Sequence, residues 1–364
     1  MARVPNKVLQ LLSKYGYVNP LMNAARDNSL CGPCGHLLLD NIQKEWKESF
    51  LLSPEVFPIQ RNGISDMDSL AIVEEGSTPL EGDCIKMILC KRHIAKFVGL
   101  QSMSAAMEHV VDTTVPFGFI SWAQHRSSTV GTGSCGEESE LFASLAHPTY
   151  WTHLQFVYCV PPSKVFYWLT FWQRQRLVWW KRLSSEPSGF SATEVGPCGL
   201  SIRRQFSWGS EPVEHIRALQ TDGSRSWVVC DTSLSVGAAV FLWDALGIYD
   251  TRPVLAFHPK LTPYKVAVAW TLPILRPLAT LLDVQLRKGR VAAYANPWLA
   301  SRASLQAQIM QFDEMGIYFS VILDESTQRT GLAHVRHRDT TLKVASLLFS
   351  CTSIDTYVTS LQHP

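Results

Sequence analysis

The sequence predicts an α/β (α+β) protein of two domains, and three observations carry that prediction. Over about the last hundred residues, strand-like and helix-like apolar patterns alternate, starting at Lys265 to Trp270 (KVAVAW). The 364 residues are 46% hydrophobic and 18% charged, a balance that supports a sizeable buried core. No apolar run reaches the length of about eighteen residues that a membrane span needs, because the most hydrophobic zone, Val165 to Trp180, is broken by Gln173, Arg174, Gln175 and Arg176.

Taken in order, the first 26 residues carry Arg3, Lys7, Lys14 and Arg26 and no acid, the charge bias of an organellar presequence without its wealth of Ser and Arg. Cys31 to Ile59 reads as a loop, an amphipathic helix carrying Leu38, Ile42 and Trp46, and a strand. Gln60 to Glu81 is polar and turn-rich, and Cys84 to Val111 has a helical pattern. Ser128 to Gly136 and Ser184 to Gly199 read as loops, and Thr251 to Pro253 as the link between domains. In the last domain, a strand at Lys265 to Trp270 precedes a helix from Arg276 to Lys288 that Gly289 stops. Val291 to Tyr294 is a second strand, Ser304 to Met315 a second helix ended by Gly316, and Ile317 to Leu323 the strongest strand signal of the chain. The polar Glu325 to Thr330 with Gly331 reads as a hairpin turn, Leu332 to Arg336 as the returning strand, and a helix follows from about Thr341. The resulting order is β-α-β-α-β-β-α, a mixed sheet covered by helices.

Nine cysteines, an odd number spread along a long chain, indicate reduced thiols rather than a disulfide framework. CGPC at Cys31 to Cys34 has the spacing of a thiol redox pair, but no apolar strand leads into it, and a Gly-Pro turn opening a helix explains it as well. Cys90 and His93 could complete a zinc site with that pair, yet they sit far away within a helical pattern. GTGSCG at Gly131 to Gly136 satisfies the phosphate-cradling GxGxxG pattern without a preceding buried strand, so a surface loop is favoured. These motifs leave the chain without a metal or cofactor.

Leu141 to Ser185 runs 45 residues without Asp or Glu while carrying Lys164, Arg174, Arg176, Lys181 and Arg182 beside Trp172, Trp179 and Trp180. Such a run attracts phosphates and offers rings for stacking, which marks Arg174, Arg176, Lys181 and Arg182, with the neighbouring cluster Arg203 and Arg204, as candidate DNA contacts. The spacing of Trp168, Trp172 and Trp179 fits a buried helix face better. Further basic clusters lie at Arg287 to Arg290 and Arg336 to Arg338, and a net charge of only +2 makes any duplex binding modest and salt-sensitive.

The element order of the last domain, with HPKLTPYKVAVAW at His258 to Trp270 and GLAHVRHRD at Gly331 to Asp339, resembles the anticodon-binding domain of class II aminoacyl-tRNA synthetases of the glycyl and prolyl type. FWQRQRLVWWKRLSSEPSGFS at Phe171 to Ser191, FDEMGIYFSVILDES at Phe312 to Ser326 and RDTTLK at Arg338 to Lys343 resemble the accessory-subunit family of the mitochondrial DNA polymerase, and the likeness runs from about Cys31 to Lys343. That resemblance implies a degenerate class II synthetase-like antiparallel-sheet domain at 1–250, with a helical dimerisation insert at about 62–112, followed by an anticodon-binding-like mixed α/β domain at 251–364. The insert is shorter than in the vertebrate members.

In that alignment Val115 to Ser128 stands at the second synthetase motif and Ser233 to Leu246 at the third. Arg126 falls one position from the expected arginine, Ser128 replaces the following acid, and Val236 takes the place of the third-motif arginine. An isopropyl group cannot hold a triphosphate, so the resemblance implies a scaffold without synthetase chemistry, with an active glycyl-type synthetase or tRNA-binding relative as the alternative. It implies as partners the catalytic subunit of the mitochondrial DNA polymerase, double-stranded or primer-template DNA and a second copy in a homodimer, no membrane, and a mitochondrial location in the matrix nucleoid. Gly331, Leu332, His334, Arg336 and Arg338 are the candidate polymerase-docking residues; an ordinary hairpin with solvated arginines is the competing account.

Overall fold

The structure is a computed structural model that describes residues 5–18, 32–53, 55–66, 116–126, 137–195, 199–220, 226–249, 252–294, 304–341 and 343–348. The sequence expectations for Cys31, for Cys90 with His93, for the Gly131 to Gly136 loop and for the insert beyond Asp66 lie outside the described residues. So does the tail after Leu348.

The larger sheet contains β1 (Val56–Asp66), β2 (Phe117–Arg126), β3 (Tyr150–Val160), β4 (Phe190–Glu194), β5 (Gly199–Phe206), β6 (Gly209–Gln220) and β7 (Ser226–Ser233). Its spatial order is β1-β2-β3-β7-β6-β5-β4, and every pairing is antiparallel except β1 with β2. The helices of this half are α1 (Pro5–Lys14), α2 (Pro33–Leu51), α3 (Glu137–Ala146), α4 (Val165–Leu183) and α5 (Leu234–Ala245).

Side chains alternate across a strand, so each strand here has a helix-covered face and an opposite face. Ile120, Phe156, Val228 and Ile216 on the covered face join the main core with the buried stripes of α2 and α4. In α2 that stripe is Leu38, Ile42, Trp46 and Phe50, four residues apart and at most 2% exposed, each contributing about 1.5–3 kcal/mol of burial. Pro33 starts α2 within its first turn, where a missing N–H costs nothing. The helix α5 is buried over its whole length, as an apolar helix enclosed by the core must be, and the Ser233 hydroxyl caps it by accepting from the Val236 amide at 3.5 Å.

The smaller sheet is mixed. It contains β10 (Val266–Trp270), β11 (Ala293–Tyr294), β12 (Phe319–Leu323), β13 (Leu332–His337) and β14 (Lys343–Leu348) in the order β11-β10-β12-β13-β14, with the first three parallel and the last two joined by antiparallel pairing. Every residue of β10 and β12 is buried, the continuous apolar pattern of strands covered on both faces. The helices α6 (Arg276–Lys288), α7 (Leu305–Glu314) and the short α8 (Glu325–Thr330) belong to it, and a two-strand ribbon of β8 (Leu246–Tyr249) and β9 (Arg252–Leu255) precedes it.

Three local expectations are corrected. Glu325 to Thr330 is a helix rather than a turn, because Asp324 and Thr327 form a reciprocal capping box whose two bonds are each 3.1 Å. The segment after Thr341 forms β14 rather than a helix, since pairing with β13 sets Val344 opposite Val335 and Leu347 opposite Ala333. The Ser184 to Gly199 loop contains β4, anchored by buried Phe190 and paired with β5.

The two halves meet through specific contacts. The Tyr17 hydroxyl donates to the Met315 carbonyl at 2.9 Å, Lys14 pairs with Glu314 at 2.9 Å, and the Asn41 amide donates to the Thr262 carbonyl at 2.8 Å. At the same junction the Nδ1 of His258 accepts from the Lys260 amide at 3.3 Å, which requires an unprotonated nitrogen. Burial, with Lys260, Arg182 and Lys265 nearby, lowers His258 from 6.5 to about 4. The folded state therefore refuses a proton that the unfolded chain accepts, and stability present above about 6.5 is lost as the pH falls toward about 4. Urea midpoints measured across that window fall for the parent protein and fall less for His258→Asn.

Candidate functional site

The sequence places its densest group of basic and aromatic residues on α4, and the helix divides them between two faces. Trp172, Trp179 and Trp180 are at most 4% exposed and point into the core, as their spacing indicates. Arg176 goes with them at 1% exposed. Its Nε donates to Glu214 Oε1 at 2.8 Å and its Nη1 to the Ser49 hydroxyl at 2.8 Å, while Trp180 Nε1 donates to the other Glu214 oxygen at 2.6 Å. The guanidinium also lies 4.6 Å from the Phe50 ring centre and 4.5 Å from that of Trp179. A cation enclosed in this way has no face for a phosphate, so Arg176 is a core residue rather than a DNA contact.

Arg204 is corrected on the same ground. It is 4% exposed, pairs with Asp244 at 2.8 Å and Glu186 at 2.5 Å, and lies near the rings of Phe190 and Phe206. Burial raises the Asp244 carboxyl above its ordinary value, with the Ser184 hydroxyl and Arg204 acting against it. A Cβ at Gly189 would fall 1.8 Å from Arg204 Nη1, so any larger residue there displaces the paired guanidinium. Arg203 is half-buried and turned along the sheet, its Nε donating to the Ser210 hydroxyl at 3.0 Å. Of the six candidate DNA contacts, Arg174 and Arg182 are exposed and Lys181 is half-buried.

In the smaller sheet, alternation buries Ala333 and Val335 and turns Leu332, His334 and Arg336 to the other side of β13. Arg336 makes a bidentate pair with Asp313 of α7 at 2.8 and 3.0 Å. Arg338 is 7% exposed and donates to three backbone carbonyls, Phe257 at 2.8 Å, Gly316 at 2.9 Å and Leu255 at 3.2 Å. Both arginines therefore hold the domain together and leave the docking set. Leu332 is half-buried, and His334 sits 3.8 Å from Asp324 beside α8. Gly331 ends α8 at φ 70° with nothing within 4 Å of an added Cβ. Gly331→Ala should therefore cost only the left-handed backbone penalty, about 1 kcal/mol in a denaturation midpoint, and Gly331→Asn less.

The face of the larger sheet opposite the helices carries a polar row that the sequence reading missed. Pairing registers Ser121, Gln155, Asp231, His215 and Ser201 across five neighbouring strands. Asp231 accepts from Gln155 at 2.9 Å and Arg217 at 2.9 Å, and lies 3.2 Å from His153 Nε2. Burial pushes its carboxyl up, but Arg217, His153 and Gln155 together hold it below the carboxylate range. It is thus a fixed anion rather than a proton carrier. The signal available in the sequence was His153 and Gln155 at alternate positions of one strand. Arg126 is the last residue of β2, whereas Val236 is 8% exposed within the main core. The buried Cys34 thiol is pushed up to about 12, so it holds no thiolate at neutral pH and packs as a small apolar group. Among the described residues, no three His, Cys, Asp or Glu side chains are grouped to hold a metal ion, and no helix is long and apolar enough to cross a membrane.

No protein-family model matches the chain. Curated proteins do. The DNA polymerase subunit gamma-2 of Mus musculus is 30% identical over 230 residues, which is 53% of this chain and 50% of the mouse protein. The mitochondrial DNA polymerase subunit gamma-2 of Xenopus laevis is 33% identical over 215 residues, 48% of this chain and 46% of the frog protein. The relatives are DNA polymerase gamma-2 subunits. The bovine gamma-2 subunit is 26% identical over 378 aligned positions, covering 86% of this chain and 75% of its own length. The chain thus spans about half the length of the mouse and frog gamma-2 subunits. This likeness bears out the resemblance that the Phe171 to Ser191, Phe312 to Ser326 and Arg338 to Lys343 blocks carry, and the mixed α/β architecture agrees with a synthetase-like fold.

Proposed function

We propose that the protein is a non-catalytic accessory subunit of the mitochondrial DNA polymerase, one that holds the catalytic subunit on primer-template DNA and so raises its processivity. The observation that carries this reading is the likeness to the bovine gamma-2 subunit across 86% of the chain. Val236 supports the non-catalytic part, since an apolar side chain buried in the core cannot meet a phosphate. In this reading residues 1–250 form the synthetase-like domain and residues 251–364 the anticodon-binding-like domain, and the protein works as a homodimer in the mitochondrial matrix, at the nucleoid, without a cofactor. The catalytic subunit docks against the smaller sheet around Gly331, Leu332 and His334, and Arg174, Lys181, Arg182 and Arg203 meet DNA phosphates. Two weak attachments made together lower the dissociation rate more than either does alone.

Primer extension on a long single-primed template tests the reading. With this protein present, the mitochondrial catalytic subunit makes longer products at salt concentrations that silence it alone. Unchanged products from a folded sample and a matched catalytic subunit overturn the proposal. Sedimentation checks the assembly, a mass near the 40.8 kDa monomer excluding the homodimer.

A further inference from the structure

The solvent side of α4 carries Phe166, Thr170, Arg174, Val178 and Arg182, all exposed, in a row that winds about 160° around the helix from first to last, with Tyr167 on the same side as Arg174. Phe166 and Tyr167 are each 65% exposed although large aromatic rings ordinarily seek cover. Trp168 meets Tyr167 edge-on at 5.3 Å between ring centres, which fixes how the tyrosine ring is presented. Of the basic residues on this helix, only Arg176 forms an ion pair among the described residues, and it is buried. The exposed acid nearest in sequence, Glu186, is already engaged by Arg204. Arg182, in the last turn of the helix, also adds to burial and Lys260 in lowering His258.

We infer that this face of α4 is a track for single-stranded nucleic acid, with Phe166 and Tyr167 stacking on unpaired bases and Arg174 and Arg182 holding phosphates. Charge complementarity selects a polyanion. The rings select unpaired bases, because a duplex keeps its bases stacked on one another and offers the rings nothing. The inference deepens the DNA-binding part of the accessory-subunit reading and rests on it for the identity of the strand as DNA.

Fluorescence anisotropy of the full-length chain with a labelled mixed-sequence DNA oligonucleotide, single-stranded and as its duplex, tests the track. Phe166→Ala with Tyr167→Ala, and separately Arg174→Ala with Arg182→Ala, should each weaken single-strand binding by about tenfold or more. The charge pair should also flatten the salt dependence, whereas the aromatic pair should leave that slope and duplex binding in place. Both pairs lie on the surface, so thermal unfolding should not move. Wild-type single-strand affinity in both double variants overturns the inference. So does intact oligonucleotide binding accompanied by lost stimulation of the polymerase, which would make this face a protein contact. Stripe-dependent oligonucleotide binding without any stimulation of primer extension upholds the track and removes the accessory-subunit reading instead.

Discussion

Arg176→Ala destabilises the protein by about 3–5 kcal/mol, the cost of leaving one member of a buried ion pair without its partner. Glu214 is fully buried, and its two oxygens are held by Arg176 and Trp180, so the truncation strands a carboxylate inside the core. It also opens a void between Phe50 and Trp179, where the guanidinium now lies. Urea denaturation measures the loss. A double change of Arg176→Met with Glu214→Leu recovers most of it, because no charge is then left behind. Arg174→Ala, two positions earlier and exposed, stays within about 0.5 kcal/mol of the parent. An Arg176→Ala protein that melts like the parent yet binds DNA poorly would return this residue to the DNA-contact set.

Arg338→Ala costs about 3 kcal/mol and loosens the attachment of the smaller sheet to the segment that precedes it. The side chain satisfies carbonyls of Leu255, the last residue of β9, of Phe257, between β9 and β10, and of Gly316, after α7. Removing it leaves those oxygens without their charged donor. Arg338→Lys rescues little, since a single ammonium cannot reproduce the planar fork that reaches several acceptors at once. Hydrogen exchange locates the effect: the amides of residues 255–257 and 316–318 lose protection before those of the larger sheet. Uniform loss across both sheets would show that Arg338 acts on global stability alone.

The smaller sheet was legible up to Leu323 because each strand there is a short apolar run and each helix ends at a glycine or a cap. Beyond it the returning strand at Leu332 to Arg336 was legible as β13, but the elements on either side of it were missed. Asp324 and Thr327 spell a capping box, but the polar composition of Glu325 to Thr330 masks it as a turn. The strand β14 depends on its partner β13, and pairing between strands leaves little local trace. In the larger sheet the Trp spacing of α4 announced the buried face. Arginine identity alone could not separate Arg176 from Arg174, since what separates them is Glu214, which arrives 38 residues later on β6. The polar row around Asp231 was hidden for the same reason, being assembled from five strands that only the sheet brings side by side.

Tyr17, fully buried, reaches the Met315 carbonyl across 298 positions of sequence, and Lys14 reaches Glu314 across 300. During synthesis the side chains of Lys14 and Tyr17 therefore wait for nearly all of these residues to emerge before their partners exist. A ribosome-bound or prematurely ended chain that stops short of α7 leaves the Tyr17 hydroxyl without its acceptor and Lys14 without its acid, so the segment after α1 is the last to lock and an early site of misassembly when the C-terminal half is missing.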